Sequence, residues 1–295
     1  MVVISIKHRY GLRMATIVCI NGDLGSGKSS AISKLSERLS WKVFSTGAAQ
    51  RQLAREMGIT TLELNKISES DRSIDDKIDS VFADLAKSEE DLIVDSRMAW
   101  HFLPTGKKIR LVCHPSTSGR RVYYDTDRSA EKYDTVEAAT ADVQFRRASE
   151  KLRFKTFYDV DVEYLQNYDA VIQTDLHILD DVVDKIQAVI DGRHGDTVLN
   201  LSPRLIFPTD LEAVGEAPTA NGSEIEVVYA RDCFFAVCGH QKLASAIREQ
   251  QPWLEARLSS DEEAAAKIEQ VIGSEIFSKW QTALDFEFPF LPDGD

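Results

Sequence analysis

The sequence lacks any long hydrophobic run, because no stretch reaches the roughly 18 consecutive apolar residues of a membrane-spanning helix. Its first 14 residues, MVVISIKHRYGLRM, are too short and too interrupted in their apolar part for a secretory signal. We interpret them as a leader before the first core strand, with Met14 as an alternative start. These features predict a cytoplasmic protein without a membrane partner.

An excess of positive charge is also missing. The formal net charge is −13, and residues 201–295 alone carry 17 acidic and 7 basic side chains, a net charge of −10. Binding to a nucleic-acid backbone requires clustered positive charge. The charge balance therefore argues against a nucleic-acid partner, most strongly for the C-terminal third.

Cysteine is scarce and shows no paired spacing. The chain has four cysteines and no CxxC motif: Cys19, Cys113, Cys233 and Cys238. This pattern favours reduced, mostly buried thiols over a disulfide framework. Cys233, Cys238 and His240 are too few and too widely spaced for a usual zinc site, so we predict no metal there.

Five short apolar runs alternate with segments of helical periodicity along the first two thirds of the chain. The runs cover residues 15–21, 42–46, 91–97, 108–115 and 169–175. Strands that alternate with helices pair in parallel through crossover helices. The alternation predicts a three-layer α/β fold in which helices cover both faces of a parallel sheet.

The alternation stops near Gly192, and the length of 295 residues suggests about two domains. We predict a first domain over residues 1–192. Residues 193–224 are rich in Gly, Pro, Asn, Ser and Thr, and we interpret them as a linker with loops. Residues 225–295 contain two short strand patterns followed by helical ones, which predicts a smaller α+β domain.

A glycine-rich segment lies between the first predicted strand and the first predicted helix. It fits the pattern GxxxxGK[ST] and consists of Gly22, Asp23, Leu24, Gly25, Ser26, Gly27, Lys28 and Ser29, with Ser30 after it. Glycines let the backbone wrap around an anion, so that several N–H groups and the helix N-terminus face its phosphates. Lys28 can reach the outer phosphates, and the Ser29 hydroxyl can bind Mg²⁺. This segment, the phosphate loop, predicts nucleotide binding.

Further motifs follow the phosphate loop in order. They are STGAAQR (45–51), IVDSR (93–97), RRASEKLRF (146–154) and YDAVIQTD (168–175). Together they resemble the acceptor turn, the arginine-ended strand, the lid helix and the last strand of the cytidylate kinase family of nucleoside monophosphate kinases. The resemblance covers about residues 15–190. It implies a P-loop kinase fold with a helical lid, ATP and Mg²⁺ as cofactors, and a small-molecule nucleotide as acceptor.

The resemblance implies roles for residues on the donor side and in the lid. Lys28 and the loop amides would hold the ATP phosphates, and Ser29 and Asp95 would lie at the metal. Arg146 and Arg153 would close over the transferred phosphoryl group. The spacing supports a shared role for these two arginines with Glu150, because positions i, i+4 and i+7 share one helix face.

The acceptor side follows from the same resemblance. Thr46, Arg51 and Arg97 would bind the acceptor phosphate, and Glu150 would face the acceptor base or sugar. Arginines that follow strand ends in an open α/β sheet lie where such sheets bind ligands, and guanidinium groups bind phosphate well. Further candidates at the start of the lid are Arg120, Arg121 and Arg128.

Three features differ from the family pattern and leave the acceptor open: Ser96, the segment Met98 to His101, and Asp23 in the phosphate loop, which adds a carboxylate near the transferred group. Ser96 stands where glycine is usual, and Met98 to His101 replace a segment that usually contains an acidic residue. The first hypothesis is transfer to a nucleoside monophosphate, with a pyrimidine such as CMP or dCMP. The second is transfer to a hydroxyl of a modified nucleoside or small metabolite, with Asp23 or Asp95 as base. The third is a nucleotide-gated binding protein with a C-terminal effector.

The C-terminal segment CGHQKLASA (238–246), which follows EIEVVYARDCFFAV, resembles the ParB/sulfiredoxin-like nucleotide-binding superfamily. This resemblance implies a second phosphate site at a helix N-terminus, formed by Gly239, His240 and Lys242. The alternative is that His240 is a capping or core histidine. The sequence predicts no particular oligomeric state.

Overall fold

The computed structural model describes residues 15–60, 63–64, 67, 73–125, 132–192, 197–211, 224–259 and 263–292. The predicted leader, the position of Arg128 and half of the predicted linker lie outside these residues. Within them, no helix combines the length and the apolar character needed to cross a membrane.

The strands occur in chain order as β1 Ile17–Gly22, β2 Lys42–Ser45, β3 Leu92–Asp95, β4 Lys107–Val112, β5 Ala170–Gln173, β6 Val198–Leu201, β7 Ile206–Pro208, β8 Glu226–Ala230, β9 Cys233–Cys238 and β10 Leu254–Leu258. They form one sheet in the order β2-β3-β1-β4-β5-β6-β10-β8-β9-β7. The pairings from β2 to β6 are all parallel, which confirms the predicted parallel sheet.

The helices are α1 Lys28–Leu39, α2 Thr46–Met57, α3 Ser73–Leu85, α4 Ala99–Phe102, α5 Pro115–Tyr124, α6 Val136–Tyr158, α7 Leu179–Asp191, α8 His240–Arg248, α9 Glu263–Val271 and α10 Ile276–Leu284. α6 lies where the resemblance places the lid helix. The helix α7 matches the amphipathic pattern after the last predicted strand of the first domain.

Both faces of the parallel sheet are covered, as the alternation predicts. Successive side chains of a strand point to opposite faces. On β1, Val18 and Ile20 pack in a cluster with α1 and α7. Ile17 and Cys19, which alternate with them along the strand, pack on the other face with Phe82 of α3. Burial on two sides explains why β1 is apolar throughout rather than alternating.

The prediction of a linker is wrong for residues 198–208. Residues 198–201 form β6 beside β5, and residues 206–208 form β7 beside β9. Both strands are almost entirely buried. Strands of four and three residues are too short to show the alternation of apolar and polar residues that predicts a strand. The Gly, Pro and Asn residues that suggested a linker lie mainly on either side of these two strands. Residues 193–196 and 212–223 of the predicted linker fall outside the described residues.

The C-terminal part is α+β, with the β8–β9 hairpin, β10 and the helices α8 to α10. It continues the sheet through the antiparallel pair β6–β10. One core cluster contains Val112 and Val171 of the parallel strands together with Leu243 of α8 and Trp280 of α10. The two predicted domains therefore share a core, and their boundary stays a prediction.

The four cysteines are free thiols, three buried and Cys238 half-buried. Burial raises the pKa of Cys19 to about 12. Burial likewise raises the pKa of Cys113, so these two thiols are poor nucleophiles. The burial of three of the four cysteines agrees with the prediction of mostly buried thiols. Across the described ranges, no group of three His, Cys, Asp or Glu side chains is arranged to hold a metal ion.

Candidate active site

The phosphate loop follows β1 and opens α1, in the context that its motif requires. Gly25 and Gly27 both have φ of +79°, a left-handed conformation that glycine adopts without strain. A Cβ on Gly25 would lie 2.8 Å from the Cα atom of Ser118 on α5. Gly27 caps α1 without a side chain, so the first N–H groups of this helix remain for an anion.

A buried ion pair holds the phosphate loop against β4. Arg110 of β4 donates from Nη2 to Oδ1 of Asp23 at 2.7 Å, and the backbone N–H of Cys113 donates to Oδ2 of Asp23 at 3.2 Å. The side chains of Arg110 and Asp23 are only 4% and 7% exposed. With both oxygens engaged, Asp23 has the arrangement of a bracing residue rather than of a general base.

Sequence reasoning missed Arg110, although a signal existed. Arg110 lies inside the apolar strand segment KIRLV, and a buried arginine requires an acidic partner. It also donates to the carbonyl of Val162 at 3.1 Å, next to the end of the lid region. The loop and the segment after α6 are thus held by one guanidinium group.

Arg121 ties the phosphate loop to the end of β5. Its Nη1 donates to the carbonyl of Gly25 at 3.2 Å and to Oγ1 of Thr174 at 3.0 Å, and its Nη2 donates to the carbonyl of Thr174 at 2.7 Å. The prediction placed Arg121 as an aid to the lid. The structure instead makes it a fixed brace of the loop, while Arg120 is exposed on α5.

Lys28 is the first residue of α1, directly after the loop glycines, and forms an ion pair with Asp95 at the end of β3. Burial lowers the pKa of Lys28, and the charge of Asp95 opposes this shift. The hydroxyl of Ser45 donates to Oδ2 of Asp95 at 2.9 Å, and Oγ1 of Thr46 donates to its carbonyl at 3.3 Å. Asp95 is thereby fixed next to the residue that would face the outer phosphates.

Ser29 and Asp95 fit a magnesium ion by their chemistry. The neighbouring strands β1 and β3 set Ile20 opposite Asp95, and Ser29 is exposed in the first turn of α1. Mg²⁺ prefers oxygen ligands and in nucleotide enzymes takes only one or two from the protein. A hydroxyl and a carboxylate at the loop are such a donor set.

Basic and acidic side chains from the loop, β4, α6 and the segment after α6 enclose a pocket beside the phosphate loop. Its lining consists of Asp23, Leu24, Arg97, Arg110, Arg146, Arg147, Glu150, Val162 and Glu163. Arg97 donates from Nε to Oε2 of Glu150 at 2.8 Å. The structure therefore brings together five of the predicted residues: Asp23 and Leu24 of the phosphate loop with Arg97, Arg146 and Glu150.

Other predicted residues do not reach this pocket. Among the described residues, Arg153 is absent from the lining, its Nε is buried without a hydrogen-bond partner, and its guanidinium lies 5.0 Å from the ring centre of Phe154. It shares a face with Arg146 but lies seven residues further along α6, about 10 Å at 1.5 Å per residue. Arg51 is exposed on α2 and also outside the lining.

Sequence reasoning also missed Arg147, the neighbour of Arg146. Arg147 lines the pocket and forms ion pairs with Glu163 and with Asp232 of the C-terminal part. Burial would raise the pKa of Glu163, but Arg147 and Lys151 outweigh it and lower that pKa. The pair Arg146-Arg147 was visible in the motif, but the partners come from distant positions that spacing cannot reveal.

The residues of the predicted C-terminal phosphate site lie at the N-terminus of α8. Gly239 precedes α8 with φ of +80°, and Lys242 is exposed. Nε2 of His240 accepts a hydrogen bond from the backbone N–H of Thr209 at 3.1 Å, and burial lowers the pKa of His240. The ring lies 6.3 Å from that of Trp280. These contacts fit the core-histidine alternative, and the second phosphate site stays a prediction.

Comparison with known proteins agrees with this geometry. A model of the AAA domain family matches residues 18–142. The cytidylate kinase of Methanosphaera stadtmanae is 31% identical over 177 residues, which cover 60% of this chain and 99% of that protein. The cytidylate kinase of Natronomonas pharaonis is 34% identical and is matched over 54% of this chain and 80% of that protein. The cytidylate kinase of Sulfolobus acidocaldarius is 32% identical and is matched over 62% of this chain and 98% of that protein.

A parallel sheet, a phosphate loop at its carboxyl edge and an arginine-lined pocket under a helical lid define an ATP-dependent P-loop kinase. Within that class, the chain belongs to the cytidylate kinase family, through about 60% of its length.

Proposed function

We propose that this kinase transfers the γ-phosphoryl group of ATP to a nucleoside monophosphate, with a pyrimidine nucleotide such as CMP or dCMP as acceptor. The observation that supports it is the pocket beside the phosphate loop, where Arg97, Arg146 and Arg147 converge. Guanidinium groups beside the phosphate loop suit two phosphate groups that must approach each other, and the charge of Arg97 acts on Lys28. The pyrimidine preference rests on the relatives, whose names are cytidylate kinases.

Positioning and charge neutralisation do most of the work in phosphoryl transfer. The loop amides and Lys28 would bind the outer phosphates of ATP. Asp95 and Ser29 would hold Mg²⁺, which when bound neutralises phosphate charge. An acceptor phosphate is already anionic, so the reaction needs no general base, and an Asp23 held by Arg110 agrees with that requirement.

Acceptor binding would replace one ion pair of the pocket by another. Arg97 binds Glu150 in the structure, and an acceptor phosphate would take the place of that carboxylate on Arg97. Glu150 would then be free to accept hydrogen bonds from the acceptor base or sugar. Thr46, whose hydroxyl donates to the backbone carbonyl of Asp95 in the structure, would instead donate to the same phosphate. Arg146 would face the phosphoryl group in transfer.

The experiment is a panel of acceptors assayed for ADP formation with the full chain, ATP and Mg²⁺. The panel contains the ribo- and deoxynucleoside monophosphates, the corresponding nucleosides, and small hydroxylated metabolites. We expect the highest kcat/KM with CMP or dCMP. Turnover with nucleosides but not with monophosphates would instead support the hydroxyl acceptor, which Ser96 and the segment Met98 to His101 leave open.

A further inference from the structure

We propose that Asp232, in the turn between β8 and β9, is a positioning residue for the lid helix α6. It fixes Arg147 and so holds α6 over the acceptor pocket before the acceptor binds. The C-terminal part thereby takes part in acceptor binding without touching the acceptor. The kinetic consequence rests on the proposed function, whereas the structural consequence for α6 does not.

The contact between α6 and the hairpin is a closed set of hydrogen bonds. Arg147 donates from Nη1 to Oδ1 of Asp232 at 2.6 Å and from Nη2 to the hydroxyl of Tyr229 at 3.4 Å. The same hydroxyl donates to Oδ1 of Asp232 at 3.2 Å. The Nε of Arg147 donates to Glu163. One guanidinium group thus joins the lid helix, the segment after it and the hairpin.

These groups lie in a partly dehydrated environment, which makes the contact stronger than a surface ion pair. The side chain of Arg147 is 20% exposed, that of Glu163 is 16% exposed and that of Asp232 is 32% exposed. Burial alone would lower the pKa of Arg147, but Tyr229 and the surrounding carboxylates raise it. Arg147 is therefore charged at every accessible pH, and loss of one carboxylate leaves its charge partly uncompensated.

The hairpin is a rigid support for the carboxylate. Ala230 and Cys233 are paired residues of β8 and β9, so the turn has two residues. Arg231 and Asp232 have φ of 48° and 59°, as a type I′ turn requires. Neither is glycine, and such a conformation persists where the surroundings hold it. Val227 and Phe234 of the two strands belong to the core shared with the parallel sheet.

Holding Arg147 also sets the residues next to it. Arg146 precedes it and Glu150 follows within one turn of α6, and both line the pocket. If the binding-competent position of α6 is occupied only part of the time, the apparent dissociation constant rises by the inverse of that fraction. A fall of this fraction to about one tenth raises the acceptor KM about tenfold.

The test compares Asp232→Asn with the control Glu269→Gln. Glu269 binds Arg231, the neighbour of Asp232, through an exposed ion pair that does not involve α6. We expect Asp232→Asn to raise the acceptor KM about tenfold, with kcat and the KM for ATP within about twofold of the original protein. Glu269→Gln should change none of the three. An equal increase in both variants would overturn the proposal, because it would show a general loosening of the turn.

Hydrogen–deuterium exchange of the unliganded protein tests the same inference without any acceptor. We expect faster exchange in α6 of Asp232→Asn, with unchanged exchange in β1 and α1, and no such effect when Arg147→Gln is already present. Unchanged exchange in α6 contradicts the proposal. If α6 loosens as expected but no monophosphate is phosphorylated by the original protein, the proposed function fails and the positioning role stands.

Discussion

The two sides of the active site are built differently. The donor side consists of backbone and of braces with little solvent exposure: Gly25 and Gly27 shape the loop, and Arg110 and Arg121 hold it from β4 and α5. The acceptor side consists of long side chains that are a quarter to two fifths exposed, such as Arg97, Arg146 and Glu150. A preformed cradle for phosphates thus faces a pocket whose charges pair with each other until a ligand replaces them.

This difference explains why the two sides respond differently to change. A loop whose N–H groups are fixed binds any nucleoside triphosphate through its phosphates. A pocket of partly exposed ionic side chains selects its ligand by the ion pairs that the ligand can replace, and its geometry depends on α6. We therefore expect catalysis to depend on the exact position of groups on the donor side, and acceptor binding to depend on the ion pairs of the acceptor side.

The largest expected effect is on the donor side. Lys28→Ala removes the cation next to the outer phosphates, so kcat/KM should fall by about a thousandfold or more. The measurement is acceptor-dependent ADP formation. Lys34→Ala is the matched control, because Lys34 lies on the same helix but pairs with the exposed Asp180. A loss below tenfold in Lys28→Ala would mean that the loop amides alone neutralise the transferred group.

The next largest expected effect is on the buried ion pair of Arg110 and Asp23 that holds the phosphate loop. Arg110→Met leaves the buried carboxylate of Asp23 without its partner, which should lower the free energy of unfolding by about 3 to 5 kcal/mol. Addition of Asp23→Asn should recover part of this loss, because the buried charge is then gone. Urea unfolding measures both. The exposed pair of Arg257 with Glu224 supplies the control Arg257→Met, which should cost at most about 1 kcal/mol.

If Arg110→Met unfolds no more easily than Arg257→Met, the pair beneath the loop is not a structural brace. Asp23 would then return to the candidates for a catalytic base. The hydroxyl-acceptor hypothesis would gain from that result, since it is the one that needs such a base.

On the acceptor side, Arg97→Met should raise the KM for the monophosphate by about ten- to a hundredfold, since hydrogen bonds to charged groups contribute about 1.5 to 3 kcal/mol. The KM for ATP should stay within about twofold. Arg51→Met serves as the comparison, because Arg51 is exposed on α2 and outside the pocket lining. A larger effect of Arg51→Met than of Arg97→Met would place the acceptor phosphate nearer α2 than we propose.

The sequence predicted the strand, loop and helix of the donor side because their signals are local. The glycines, Lys28 and Ser29 lie within eight consecutive residues, and the strand before them is apolar. The braces could be anticipated only in part, since Arg110 stands out in an apolar strand but its partner Asp23 lies 87 positions away. On α6, helical spacing placed Arg153 beside Arg146 but could not tell where the pocket ends along the helix.

The C-terminal part was the hardest to predict for a similar reason. The strands β6 and β7 are three or four residues long and owe their place to partners far along the chain. The contact of Asp232 with Arg147 spans 85 positions. His240 showed the motif of a helix N-terminus, yet its role depends on Thr209, which sequence alone places in a linker.

The smallest expected effect tests whether the C-terminal part also supports the donor side. His177, just after the β5 end that Arg121 holds, stacks on Trp253 with ring centres 3.4 Å apart. Burial lowers the pKa of His177 to about 4, below its value of roughly 6.5 in unfolded chains. The unfolded state therefore binds a proton first, so the stability that this histidine contributes is present above pH 6.5 and declines as the pH falls toward 4.

His177→Phe keeps an aromatic ring on Trp253 and removes the titration. Between pH 7 and pH 5 the original protein should lose about 1 kcal/mol more unfolding free energy than His177→Phe, a figure reduced for the partial exposure of the ring. Urea unfolding at both pH values measures the difference, and His240, whose pKa burial also lowers, leaves the variant some pH dependence. Equal losses in the two proteins would mean that His177 titrates as in an unfolded chain. The stack on Trp253 would then be too loose to link the C-terminal part to the donor side.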